Sequence, residues 1–234
     1  MASPRASSRN PIRQIDKDAA PVRLSAGKRR EQLIQVAADL FSRKGFNGTT
    51  TREIAAAAGV TEAIIFRHFE TKEQLYTAII DRRLKSPDTA EWVAGLRAAM
   101  DRDDDEAVIR QLINAIILAH KNDPKFERLM LYAALEGNGI ALRHMRQVAA
   151  SIVDLYRKYF LRRQKQGCLR PCVPDAALMA IVGMARSYAL GKYVHEIKEQ
   201  CLSDEQALES FTRIAMDGLR VPAPRNRPVS KKKK

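Results

Sequence analysis

The chain has 234 residues, 45% of them hydrophobic, and a formal net charge of +14 at pH 7. That length allows one large domain or two modest ones, and the apolar content suffices for a packed core, which excludes a wholly disordered chain. Residues 1–27 carry five basic and two acidic side chains, 28–85 eleven and seven, 86–220 nineteen and eighteen, and 221–234 six and none. The cationic excess therefore points to a polyanion but sits at the ends and in the first domain, which argues against a protein that coats nucleic acid over its whole surface.

Residues 1–27 mix Pro, Arg and Ser without periodicity and are expected to form a disordered basic tail. They lack the apolar stretch of a secretory leader, and no window approaches 18 consecutive apolar residues, so a cytoplasmic, nucleoid-associated bacterial protein without a membrane span is expected. Helical periodicity starts near Lys28, with Leu33, Val36, Ala37, Leu40 and Phe41 on one face, and Gly45 ends that helix. Three further starts follow within 22 residues. Thr50 with Glu53 forms a capping box, Thr61 is a second N-cap with Val60 and Ile65 as a hydrophobic staple, and Thr71 with Gln74 repeats the capping pattern. Between the first two lie Ala55–Ala58 and Gly59, a small-residue helix and its terminator. The helix from Lys72 runs to about Lys85, where Ser86-Pro87 stops it.

The remainder reads as helix throughout: Thr89 to Met100, Asp103 through His120, a restart at Asp123-Pro124 ending at Gly137, and a long element from Ile140 to about Gln166 spanning roughly 40 Å. Pro171 to Pro174 is a loop, Asp175 opens a helix reaching about Gln200, and Ser203 with Gln206 caps a last helix ending near Leu219. Residues 221–234 form a second disordered basic tail. The expectation is an all-α protein of nine or ten helices, divided into tail 1–27, a helix-turn-helix domain with its linker helix over 28–85, a helical ligand-binding and dimerisation domain over 86–220, and tail 221–234.

Two short helices joined by a tight Gly turn form a helix-turn-helix, whose second helix enters the major groove of double-stranded DNA. Each residue there has a physical role. The hydroxyls of Thr50, Thr51 and Thr61 sit at helix N-termini that can take phosphate oxygens. Arg52, Glu62, Ala63, Ile64, Arg67 and His68 can face bases or nearby phosphates, with Arg67 suited to guanine or phosphate and Ile64 to a thymine methyl. Ile65 and Phe69 belong to the core, as do Ile54 and Val60.

The order Ala37-Ala38-Asp39-Leu40-Phe41, Lys44-Gly45-Phe46, Thr50-Thr51-Arg52-Glu53-Ile54-Ala55, Ala58-Gly59-Val60-Thr61, Ile65-Phe66-Arg67-His68-Phe69 and Lys72-Glu73-Gln74-Leu75 resembles the N-terminal domain of the TetR/AcrR family of bacterial transcriptional repressors. The family usually has a Tyr at the position of Phe66 whose hydroxyl reaches a phosphate; Phe66 packs there without that donor. Lys72 matches a position that often grips the backbone. Beyond Leu84 only size, helical character and layout correspond. The resemblance implies a homodimer built from the last two helices, for which Ala176, Ala180, Gly183 and Ser187 are the interface candidates. Ala177, Ala185 and Ala189 add small residues, and Leu178, Ile181, Val182 and Met184 add apolar area. It also implies an effector cavity between the middle helices, with His120, Met130, Tyr156, Met184 and Tyr188 as candidate lining residues.

An enzyme finds no support. There is no Gly-rich phosphate loop, no Gly-x-Ser-x-Gly and no His-Glu-x-x-His, and His68, His120, His144 and His195 are dispersed. Cys168 and Cys172 lie in an interhelix loop and Cys201 stands apart, so these thiols are read as incidental, and neither metal nor cofactor is expected. The sequence thus reads as a ligand-responsive regulator, a repressor by resemblance, that binds a palindromic operator as a homodimer and answers a small-molecule effector. The alternative is a constitutive or nucleoid-type DNA-binding protein whose second domain only dimerises.

Overall fold

The computed structural model describes residues 24–197 and 202–221, the side chain of Val148 aside. Ten α-helices and one π-helical turn make up these residues: α1 Ala26–Lys44, α2 Thr51–Ala57, α3 Glu62–His68, α4 Lys72–Leu84, α5 Pro87–Asp101, α6 Asp105–Asn122, α7 Pro124–Leu135, α8 Gly139–Lys165, α9 Pro174–Ala189, the π turn Leu190–Val194, and α10 Asp204–Leu219. The architecture is all-α, and among the described residues β pairing is limited to one isolated bridge between Leu169 and Arg220.

Local chemistry sets most of the boundaries. Ser25, Thr50, Thr71, Ser86, Asp104, Asp123, Asn138 and Ser203 each accept a backbone N–H at a helix start, with complete capping boxes at Thr50–Glu53 and Ser203–Gln206. Pro87, Pro124 and Pro174 occupy first-turn positions where their missing donor costs nothing. Three expectations need correction. Thr61 stands at the N-cap of α3 but makes no side-chain capping bond. Ordered helix begins at Ala26 rather than Lys28, because Ser25 supplies the cap. Continuous α-helix from Asp175 ends at Ala189, where the chain widens into the π turn and leaves helical structure at His195. The tails before Leu24 and after Val221, Cys201 and the stretch around Gln200 lie outside the described residues.

Two cores organise the fold. One gathers α5, α6, α8, α9 and α10 around Ile109, Ile113, Ile117, Tyr156, Phe160, Ile181 and Ala185. The other joins Leu33, Phe41, Ile54, Ile65, Leu75 and Tyr76 of the first four helices to Leu129, Met130 and Ala133 of α7 and Ala141 of α8. The division at residue 85 therefore follows the linker helix but not the packing. Phe46 folds back as expected, its ring 5.6 Å from Phe41 and 5.3 Å from Tyr76, and the buried Tyr76 hydroxyl donates to the Leu129 carbonyl of α7 at 2.9 Å.

In the C-terminal half, Asp204 at the start of α10 gathers the π turn. It accepts from Tyr188 (2.9 Å), Tyr193 (2.6 Å), Lys192 (2.9 Å) and Lys121 (2.9 Å). Burial alone would raise its carboxyl pKa, but the bonds from Tyr193, Lys121, Lys192 and Tyr188 outweigh it and hold the group well below the usual carboxylate range. Because the folded carboxyl binds its proton less tightly than the unfolded one, its stabilisation is full above the ordinary carboxylate pKa and is lost as pH falls towards the depressed folded value. Asp204→Ala should cost about 2 kcal/mol at neutral pH, from charged hydrogen bonds worth ~1.5–3 kcal/mol each, offset by re-solvation of the freed donors. Thermal melts from pH 7 to pH 3 would show a gap between variant and parent that narrows below about pH 4.

Candidate nucleic-acid interface

The helix-turn-helix is built on Ile54, Ala55, Ala58, Ile65 and Phe69, all buried, which fix α2 against α3 and α1. Gly59, with φ of 65°, makes the turn between them in the left-handed region that favours glycine. With its inner face committed to the core, α3 presents Ala63, Phe66 and Arg67 outward, while Glu62, Ile64 and His68 are half-buried. Phe66 is 48% exposed, a large apolar ring left in water at the centre of the surface.

The phosphate candidates differ in how they are held. Thr50 is spent on its capping box: its hydroxyl accepts from the Glu53 amide at 3.1 Å, and its own amide donates to Glu53 Oε2 at 2.8 Å. Lys44 lies 2.7 Å from Glu53, and its hydrogen bond together with those from Thr50 lowers the Glu53 carboxyl pKa to about 2. Thr51 donates to Glu62 Oε2 at 2.6 Å, tying the start of α2 to the start of α3. The Thr61 hydroxyl makes no capping bond and is exposed, as is Arg52. Lys72 lays its ammonium 4.2 Å from the centre of the Phe46 ring; burial lowers its pKa, while Glu73, Glu136 and Glu53 oppose that shift.

At the far end of α3, Arg30 sits 4.8 Å over the Phe69 ring. Burial depresses the His68 pKa first, and the fields of Arg67, Arg30 and Arg29 push it further down. Sequence reasoning missed Arg29 and Arg30, which α1 carries to the C-terminal end of α3; the separation in sequence hides that proximity. The reading candidates Thr51, Arg52, Thr61, Glu62, Ala63, Phe66, Arg67, His68 and Lys72 thus fall on or beside one short helix and its neighbours, a cationic surface with an apolar centre.

The candidates in the second half separate into groups. His120, Tyr156 and Tyr188 are buried and Met184 is half-buried, but Met130 belongs to the other core, with α1 and α4. His120 Nδ1 bonds the Ile116 carbonyl at 2.8 Å, and its Nε2 faces Glu127 at 3.4 Å. That distance defines an ion-pair contact only for the protonated ring, and Nε2 makes no well-aligned hydrogen bond. The buried Tyr156 hydroxyl also has no partner, and burial pushes its pKa up. On α9, Ala176, Ala180, Gly183 and Ser187 form an exposed stripe beside Met179, 75% exposed, whereas Leu178, Ile181, Ala185 and Ala189 are buried within the chain and add no area to that surface. Ile214 and Gly218 of α10 are exposed as well. Cys168 and Cys172 are free and exposed. Among the described residues no group of three or more His, Cys, Asp and Glu side chains could hold a metal ion, and no helix is long and apolar enough to cross a membrane.

Two short helices joined at Gly59 over a common apolar core, the second offering an exposed Arg67, define a helix-turn-helix of the DNA-binding type. Residues 33–79 match the sequence model of the family described as bacterial regulatory proteins, tetR family. The HTH-type transcriptional regulator RutR of Escherichia coli (strain K12) is 26% identical over 197 residues, covering 82% of this chain and 91% of RutR. The HTH-type transcriptional repressor NicS of Pseudomonas putida is 26% identical over 205 residues, covering 83% and 94%. Among solved structures, AibR in complex with isovaleryl coenzyme A and operator DNA superimposes with a TM-score of 0.57 at 22% identity, covering 80% of this chain and 97% of AibR. Residues 33–79 are thus a tetR-family DNA-binding segment, and the chain as a whole is similar to transcriptional regulators of nearly its own length.

The difference between the two threonine caps yields a test. Thr50→Ala should lower stability by about 1 kcal/mol through loss of its capping box, whereas Thr61→Ala should change it by a few tenths. Thr61→Ala combined with Lys72→Ala should weaken binding to all DNA sequences alike and flatten the salt dependence, because phosphate contacts carry no sequence information. Urea melts and binding titrations from 50 to 200 mM salt check both. A double variant that alters which sequences bind, at an unchanged salt slope, would assign these side chains to base reading.

Proposed function

We propose that the protein is a homodimeric, ligand-responsive repressor that binds a palindromic operator through two copies of α3. The observation that carries this reading is the pairing of an outward α3 face, centred on Phe66 and Arg67, with an exposed small-residue stripe on α9, a helix of the second core. Each α3 reads half a site, and the stripe, flanked by Met179 and by Ile214 of α10, suits close approach of a second copy of the two helices as a four-helix bundle. The names of RutR and NicS support regulation of transcription, and that of NicS supports repression. The fold is one in which AibR was crystallised with isovaleryl coenzyme A and operator DNA. An effector binding between the middle helices, near His120, Tyr156, Met184 and Tyr188, would act by favouring a conformation whose α3 helices no longer match successive major grooves about 34 Å apart. Selection of bound sequences from random DNA tests the reading: a palindrome supports it, and binding without sequence preference favours the constitutive alternative.

Gly183→Glu tests the assembly. A Cβ placed on Gly183 meets nothing within 4 Å inside the chain, so the variant is expected to fold as the parent does. In a dimer seam, however, the unpaired carboxylate would cost several kcal/mol. Sedimentation equilibrium should show monomers, and operator affinity should fall by ~10²-fold or more while non-specific affinity changes little, since the linked second site is lost. A folded variant that stays dimeric moves the interface elsewhere.

A further inference from the structure

Glu136 occupies the C-cap of α7, in the second half of the fold, yet its bonds go to the first. Its Oε2 accepts the backbone N–H of Phe46 at 2.9 Å and its Oε1 that of Asn47 at 3.1 Å. A carboxylate at a helix C-terminus opposes the macrodipole, so the stability of α7 gives no reason for it to be there. The reason lies in the turn between α1 and α2, whose two amides it satisfies. The fit is close: a Cβ on Gly45, whose φ is 74°, would lie 2.2 Å from Glu136 Oε1.

The turn it holds leads directly into the DNA surface. Phe46 carries the ring on which the Lys72 ammonium rests, and the field of Glu136 acts on Lys72. Beyond Asn47 the backbone is tight, with Thr49 bonded through its hydroxyl to the Gly45 carbonyl at 2.8 Å, and the next residue, Thr50, caps α2. We infer that Glu136 is a positioning residue for DNA reading: through the Phe46 and Asn47 amides it fixes α2 and Lys72, and with them the pose of α3, relative to the second domain. This rests on the function proposed above. It gives α7 a rigid hold on the reading head besides the covalent link through α4.

The test uses the full chain with Glu136→Gln, which keeps the shape but turns an N–H donor towards the amides, and Tyr132→Phe, which removes a neighbouring bond from α7 to the Arg43 carbonyl (3.1 Å) without touching the clamp. In Glu136→Gln, hydrogen exchange at the Phe46 and Asn47 amides should accelerate, and affinity for the selected operator should fall about tenfold relative to scrambled DNA, as expected when a hydrogen bond to a charged group is lost. Tyr132→Phe should leave both readouts unchanged. A purely structural role would lower the melting temperature and reduce affinity for both DNAs in proportion. That result, an unchanged specificity ratio, or an equal loss in Tyr132→Phe would overturn the assignment. If the parent protein selects no sequence at all, the function proposed above fails and the role of Glu136 falls with it. A parent that selects a palindrome beside a Glu136→Gln variant that reads it equally well sinks only the inference.

Discussion

The insertion of α7 into the first core is the contact on which the arrangement rests. Four helices, two of them only seven residues long, enclose too little interior to stabilise themselves by burial alone, and α2 and α3 are far below the length at which an isolated helix persists in water. Leu129, Met130 and Ala133 supply the missing wall, and Tyr76 closes it with a buried hydroxyl bond to the backbone of α7. The same helix lies against α6 and α8, both of which contribute to the second core. A change in how α6 and α8 pack cannot leave α7 unmoved, and α7 cannot move without the surface that carries Phe66 and Arg67. Interiors packed to crystal density shift between discrete arrangements rather than yielding smoothly, which makes such a shared helix suited to coupling two domains.

Surface ion pairs add to this contact without determining it. Asp39 receives both Arg43 and Lys125, the latter from α7 at 2.7 Å, and Arg82 meets Glu31 at 2.7 Å. These side chains are substantially exposed, where such pairs contribute little each. His144 Nε2 and Asp81 Oδ1, 2.7 Å apart, are better sheltered and join α8 to α4. Polar links thus tie the halves at their rim, while apolar burial supplies the free energy.

Much of the architecture was legible because its signals are local. Capping residues, first-turn prolines and Gly45 and Gly59 mark helix ends through backbone hydrogen bonds that neighbouring residues decide. The recognition segment was legible for the same reason, its short helices each carrying a start signal. What escaped depends on distance. The periodicity of α7 announces an apolar face but not which core it will enter, so Met130 was grouped with Tyr156 when it packs beside α1 and α4. Arg29 and Arg30 reach α3 only once α1 has folded across it. Glu136 drew no reading from sequence, since its partners lie some ninety residues earlier. Thr61 carried a cap signal, yet its hydroxyl is left unused.

The π turn at Leu190–Val194 has a consequence for register. In an α-helix each residue advances the side chain by about 100°, so Tyr188 and Lys192 share a face and Tyr193 would point away. Widening the turn by one residue brings Tyr193 round as well, and all three reach Asp204. The segment behaves as a helix with one residue too many, the surplus absorbed where α9 ends and the chain sets out for α10. Shortening it by a single residue would restore regular helix and rotate everything beyond it by a quarter-turn or so, leaving the outward stripe from Ala176 to Ser187 in place but carrying Tyr193 off the carboxylate. The spatial relation between the last two helices therefore depends on a count, five residues rather than four, as much as on any side chain.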